Sequence, residues 1–192
     1  MVASLGVHLE PVTRHDVQRM ADWLDDPELA ASWYGRDESG ASIHISYQPR
    51  ALLAASQEDW WRVFTAKERR IYSVYAGSEH IGEIQIHLDL PLKNAEVLVL
   101  IGKRDLWRHG YGSAALARAL DMVFGDLKMH RAWVDIPEYN EPARHMCEQL
   151  GFVLEGRLRA SRSKEGRWYD SMVMGLLADE YVRRKAAGRL PS

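Results

Sequence analysis

The sequence has one cysteine, Cys147, in 192 residues. No intramolecular disulfide can form, which fits a reducing compartment. No apolar run approaches the ~20 residues that a membrane span needs, so no membrane partner is expected. The opening MVASLGVHLEPV has neither the basic start nor the apolar stretch of a secretory signal, and a cytoplasmic location is expected. Charge of one sign is also missing. Lys and Arg number 25 against 27 Asp and Glu, so the chain has no basic excess to bind nucleic acid. No internal repeat or low-complexity segment is found. What remains is a globular balance of 46% hydrophobic and 27% charged residues, with a length that suits one domain, over 1–192, and a sizeable core.

The pattern along the chain is mixed α/β. VHLEPVT reads as a strand ending at Pro11. Thr13 is placed to cap a helix over 14–24, with Val17, Met20, Ala21 and Leu24 on one face. From Asp25 to Gln57 the pattern is broken by Pro27, Gly35, Gly40 and Pro49. A loop with a short helix is expected there, long enough for a functional cover. Ser56 caps the helix QEDWWRVFTAKE. IYSVYA and HIGEIQIHLDL form a hairpin around GSE, and AEVLVLIG is a buried strand. HRAWVDI is another strand, and NEPARHMCEQLG is a helix with Asn140 as N-cap and Gly151 as its stop. FVLEGRLRAS and RWYDSMVMGLL pair around KEG, and ADEYVRRKAAG closes the pattern as a helix. Seven tryptophans, among them Trp23, Trp33, Trp60 and Trp61, suit packing or the walls of an amphipathic pocket.

The stretch LWRHGYGSAALARAL carries the chemistry. GYGSAA matches the dinucleotide fingerprint G-x-G-x-x-A, and Asp135 lies near the expected ~20 residues downstream. Against that fingerprint, KRDLWRH separates Gly110 from the strand ending near Ile101, and the motif follows hairpins rather than repeated βαβ units. No Gly-Lys-Ser/Thr follows, so a P-loop is excluded. An anion site remains open beside a plain helix start. Gly110, Gly112 and Ser113 let an anion approach the main chain, the helix N-terminus offers N–H groups and a positive dipole end, and Arg108 and His109 add donors.

These residues, followed by HRAWVDIPEYNEPARHMCEQLGF, resemble the GNAT superfamily of acyl-CoA-dependent N-acetyltransferases. EGRLRASRSKEGRWYDSMVMGLLADEY resembles more narrowly the ribosomal-protein N-terminal acetyltransferase (Rim-like) branch. The match runs from about Ile71 to Tyr181. The resemblance implies an α/β fold with a twisted, mostly antiparallel sheet whose central strands splay apart, flanked by helices. It implies acetyl-CoA as co-substrate, an amine as acceptor (a protein N-terminus or a small molecule), and no metal. The loop Arg108, His109, Gly110, Tyr111, Gly112 and Ser113 would wrap the pyrophosphate. Val99 and Ile101 would pair with the pantetheine arm, and Asn140 lies near it. Exposed hairpins in the family pair two copies, so a homodimer is an expectation.

The catalytic residues are open at this level. The family needs direct attack of a neutral amine on the thioester, with a base to take the amine's proton. Glu96 matches a position that carries the base in some members, and it reads equally as a solvated carboxylate. Glu83 and His87, alternate residues on one strand, are reserve candidates. Cys147 stands where many members have a tyrosine that protonates the leaving thiolate. It is a proton donor or a small core residue. Trp33, Tyr34 and Tyr169 are candidate walls of the acceptor pocket, which the Asp25–Gln57 segment, the HLDLPL turn and the C-terminal hairpin would build. Asp170 would bind the substrate ammonium or pair with Arg157 or Arg159. A domain that binds acyl-CoA without catalysis is the alternative, and a nucleotide-dependent oxidoreductase a remote third.

Overall fold

A computed structural model describes residues 5–33, 40 and 42–190. The strands are β1 (Val7–Pro11), β2 (Arg69–Ala76), β3 (Glu79–Asp89), β4 (Asn94–Ile101), β5 (Arg131–Pro137), β6 (Val153–Lys164) and β7 (Arg167–Leu177). They form one seven-stranded sheet in the order β1-β2-β3-β4-β5-β7-β6. Every neighbouring pair is antiparallel except β4 and β5. The helices are α1 (Arg14–Leu24), α2 (Pro27–Ser32), α3 (Pro49–Leu53), α4 (Gln57–Phe64), α5 (Tyr111–Asp121), α6 (Glu141–Leu150) and α7 (Ala178–Ala186).

Local chemistry sets most boundaries. Thr13 and Asp16 form a reciprocal capping box at the start of α1, Ser56 caps α4 through the Asp59 N–H, and Asn140 caps α6 through the Ala143 N–H. Gly151 ends α6 in the left-handed conformation at φ 101°. Among its described residues, the segment expected as loop with one short helix holds two, α2 and α3, each with a proline in its first turn. At six and five residues they are too short to show a helical period. The helix expected over QEDWWRVFTAKE stops at Phe64.

Strand alternation divides β4 between two cores. Ala95 and Val97 belong with Leu116, Leu120, Leu150 and Met174 under α5, α6 and α7, and Val99 and Ile101 pack at its margin. Leu98 and Leu100 belong with Met20, Leu24, Leu29 and Trp33 under α1 and α2. A third cluster of Val17, Tyr47, Leu52, Trp60 and Ile71 fills the same side beneath α3 and α4. The alanines of α5 (Ala114, Ala115, Ala117 and Ala119) are buried, and their small size lets that helix lie close on the sheet.

Candidate active site

β4 and β5 are paired only at Asn94–Arg131, Ala95–Ala132 and Glu96–Trp133. Beyond Glu96 they part. β4 stays bonded to β3 as far as Ile101, and β5 to β7 as far as Pro137. Each strand keeps its outer partner while the facing edges open into a slot. Backbone groups on those edges have no ladder to join and need water or a ligand. The Trp107 indole N–H donates to the Ile101 carbonyl at 2.7 Å and fixes the end of β4 against the loop that follows.

That loop leads into α5. Arg108 and Gly110 both have positive φ, 62° and 87°, so the chain turns tightly before the helix. α1, α2, α4, α6 and α7 each have an acidic residue in the first turn, whereas α5, like the five-residue α3, has none and no side chain caps it. Its first N–H groups and positive dipole end are left for an anion. Between this turn, α6 and the end of α2 lies a cleft of about 870 Å³. Val99, Ile101, Arg108, Gly110, Gly112, Ser113 and Asn140 line it, as do Trp33 and Met146. His109 is exposed and Tyr111 half-buried, and neither is among the cleft's lining residues.

The cleft narrows into an inner cavity of about 80 Å³ within the slot. Glu96, Val97, Val99, Asp135, Asn140, Cys147, Arg162 and Trp33 line it. The Asn140 amide also donates to the Ser32 carbonyl, and the Tyr139 hydroxyl to the Ala31 carbonyl, both at 3.4 Å. These two bonds tie the end of α2 to the start of α6 beside the cavity. Cys147 is 1% exposed. Burial, then the nearby Glu148, pushes its thiol up to about 12, so it stays protonated.

Asp135, which a dinucleotide fingerprint would assign to a ribose, faces this cavity instead. One carboxylate oxygen pairs with Arg162. The other is buried and has no hydrogen-bond partner among the described residues. Sequence reasoning missed the Asp135–Arg162 pair, because nothing local marks residues on β5 and β6 as neighbours. Tyr169 makes an edge contact with Tyr139, ring centroids 5.1 Å apart, but neither Tyr169 nor Asp170 lines the cavity. Asp170 accepts from the Ala160 N–H and pairs with Arg157, and both hold its carboxyl below its ordinary value. Of the two readings for Asp170, the pairing is what the structure displays. The HLDLPL turn lies at the closed end of β4 and lines neither space among the described residues. Tyr34 lies outside the described residues. On β3, His87 lies opposite Glu96, whose carboxylate is 3.2 Å from His87 Nδ1, and Glu83 lies opposite Leu100.

A parallel strand pair that parts after three residues, with an uncapped glycine turn at the mouth of the gap, defines a class: the acyl-CoA-dependent N-acetyltransferases. The sequence profile of the acetyltransferase (GNAT) domain matches residues 7–153, and the chain belongs to that family. It is 30% identical over 118 residues to a spermidine N(1)-acetyltransferase of Vibrio cholerae, across 61% of this chain and 68% of that protein. It is 24% identical over 142 residues to a prophage-derived N-acetyltransferase of Bacillus subtilis, across 73% and 77%. Among solved structures, V. cholerae spermidine N-acetyltransferase in complex with CoA and spermine superposes with a TM-score of 0.77 at 21% identity, over 92% of this chain and 98% of that one. A dodecameric form of that enzyme gives 0.71 at 20%, over 93% and 98%. These structural likenesses establish the fold.

Proposed function

We propose that the protein transfers the acetyl group of acetyl-CoA to a primary amine of a small polycation of the polyamine class. The observation that carries this is the pair of carboxylates, Glu96 and Asp135, on one small cavity, where Arg162 is the one Lys or Arg among the described lining residues. One surplus negative charge in a partly desolvated space favours a cationic acceptor. The spermidine acetyltransferase relative supports the same class. It does not point specifically to ribosomal-protein N-termini, the Rim-like expectation.

In this reading the N–H groups at the start of α5, with Gly110 and Gly112, hold the pyrophosphate. The open edge of β4 at Val99 and Ile101 meets the amides of the pantetheine arm, and Asn140 flanks it. The thioester then lies in the slot, where a free β4 N–H polarises its carbonyl. Glu96 takes the proton from the amine. Cys147 is too weak an acid to surrender its proton to a departing thiolate of ordinary basicity, ~8.5. It serves as a hydrogen-bond donor that steadies the sulfur until water protonates it. Trp33 forms a wall of the acceptor side.

Association of copies through the β6 edge fits the same reading. Val153, Leu154 and Leu158 are exposed on that strand, and sedimentation would read a mass above one chain.

An amine panel monitored by thiol release tests the function. Spermidine and spermine should be turned over faster than simple monoamines, and faster than peptides with a free N-terminus. Turnover of the peptides and not of the polyamines would overturn the substrate class. Stabilisation by NAD and not by CoA in a thermal-shift assay would overturn the donor.

A further inference from the structure

Glu83, Gln85 and His87 alternate along β3 and project to one face. Glu96 joins them on β4, directly opposite His87. Glu83 is 3% and Gln85 0% exposed, and burying such groups is costly unless every one is paired. Their hydrogen bonds run in a fixed direction. The Glu83 carboxylate accepts from the Tyr47 hydroxyl, from His44 Nε2 at 2.9 Å and from Gln85 Nε2 at 2.8 Å. A carboxylate only accepts, so the Gln85 amide nitrogen must face Glu83 and its oxygen must face away. That oxygen takes the hydroxyl hydrogen of Ser46. Ser46 has no second hydrogen to give. Its 2.9 Å contact with His87 Nε2 therefore requires the ring nitrogen to donate. With Nε2 protonated, a neutral His87 turns the lone pair of Nδ1 toward Glu96 Oε2, 3.2 Å away. Two lone pairs meet there, and the space between them is a place for one proton.

We propose that Glu96 and His87 act together as one proton-accepting dyad, held in orientation from Glu83 through Gln85 and Ser46. His87 is the positioning residue that makes Glu96 an effective base. This rests on the reading of Glu96 as the group that deprotonates the amine. In the step, an N–H bond of the ammonium breaks and its electron pair stays on nitrogen, which bonds to the thioester carbon. The C–S bond then breaks with its electron pair on sulfur, and the second proton that nitrogen sheds passes through water to that thiolate. The first proton passes to Glu96 and comes to rest between Oε2 and Nδ1, and it leaves to water when products depart. The gain is chemical. The proton is held between a carboxylate oxygen and a ring nitrogen 3.2 Å apart, two acceptors where Glu96 alone would offer one. Around His87, Glu96 is the facing anion and Arg69, opposite on β2, the facing cation. The Arg69 guanidinium is itself bonded to the Val63 and Ser46 carbonyls, at 2.9 and 3.3 Å.

The test compares His87→Gln, Glu96→Gln, the double variant and Ser46→Ala across a pH series, each checked for an unchanged melting profile. His87→Gln should lower kcat about a hundredfold, within the usual span for acid–base catalysis, with KM for acetyl-CoA unchanged. The pH dependence of kcat should differ in shape from that of the unchanged protein, because the proton then has one acceptor in place of two. The double variant should be no slower than Glu96→Gln, since the two residues act as one unit. Ser46→Ala, which only frees the ring, should fall between. Histidine-selective ¹⁵N NMR of the free protein should show Nε2 protonated and an Nδ1 signal that moves in Glu96→Gln. A bare Nε2 would overturn the orientation whatever the rates. Full activity in His87→Gln with loss in Glu96→Gln would overturn the dyad and leave the base. Full activity in Glu96→Gln would overturn the base itself.

Discussion

Gly112 sits where α5 and α6 come together at the mouth of the cleft. A Cβ there would lie 3.2 Å from Met146 Sδ and 3.8 Å from Ile101 Cγ1, so any larger group must push into the space proposed for the cofactor. Gly112→Val should weaken CoA binding at least tenfold, or ~1.4 kcal/mol, by calorimetric titration. His109→Ala, outside the lining, should stay within about twofold on the same scale. An unchanged affinity in Gly112→Val would remove the glycine turn from the CoA site. Residues of this kind were legible in the sequence because their causes are local: a cap and its N–H three residues on, a glycine at a helix end. Glu83, His44 and Ser46 were not legible as a group. Their bonds join residues 39 apart, and a polar residue in an apolar strand reads as an exposed one until its partners are known.

At the scale of elements, the parting of β4 from β5 is the feature on which the site depends. The N–H groups on the open edge of β4 have water in place of a ladder, so in the free protein they should exchange hydrogen faster than those of β3. Saturating acetyl-CoA should slow exchange in the segment from Val97 to Ile101 more than elsewhere in the sheet, by mass spectrometry of proteolytic peptides. Equal protection before and after would mean that the slot does not take the pantetheine arm. The strands themselves were legible from composition and turns. The parting was carried only by family resemblance, since VLVLI is a uniformly apolar run whose pairing depends on what lies across from it. α2 and α3 went unread as a pair for a different reason: each is shorter than the window that a helical period needs.

For the molecule as a whole, acid should be the weak side. Burial holds His80 below its ordinary 6.5 despite the nearby Asp16. Burial alone would raise the Asp16 carboxyl, but hydrogen bonds from the Thr13 N–H and the Tyr75 hydroxyl outweigh it and leave it below 3.8. As pH falls through the mid-6 range the unfolded chain binds a proton that folded His80 refuses, so stability is present above that range and is lost below it. Asp16 adds a loss of the same sign further down. Tm should therefore fall between about pH 7 and pH 5, and His80→Gln, whose amide keeps a donor for the Gly82 carbonyl, should flatten that slope. An equal slope in the variant would remove His80 as the cause. A last consequence follows from Cys147, the chain's one thiol, which burial keeps protonated at the inner cavity. The enzyme has no thiolate on which to store an acetyl group between half-reactions. With no acetyl-thiol intermediate at this residue, the expected order has both substrates bound together. Double-reciprocal plots should intersect, and label should not pass from acetyl-CoA to free CoA until amine is added. Cys147→Ala should slow turnover and leave that pattern intact.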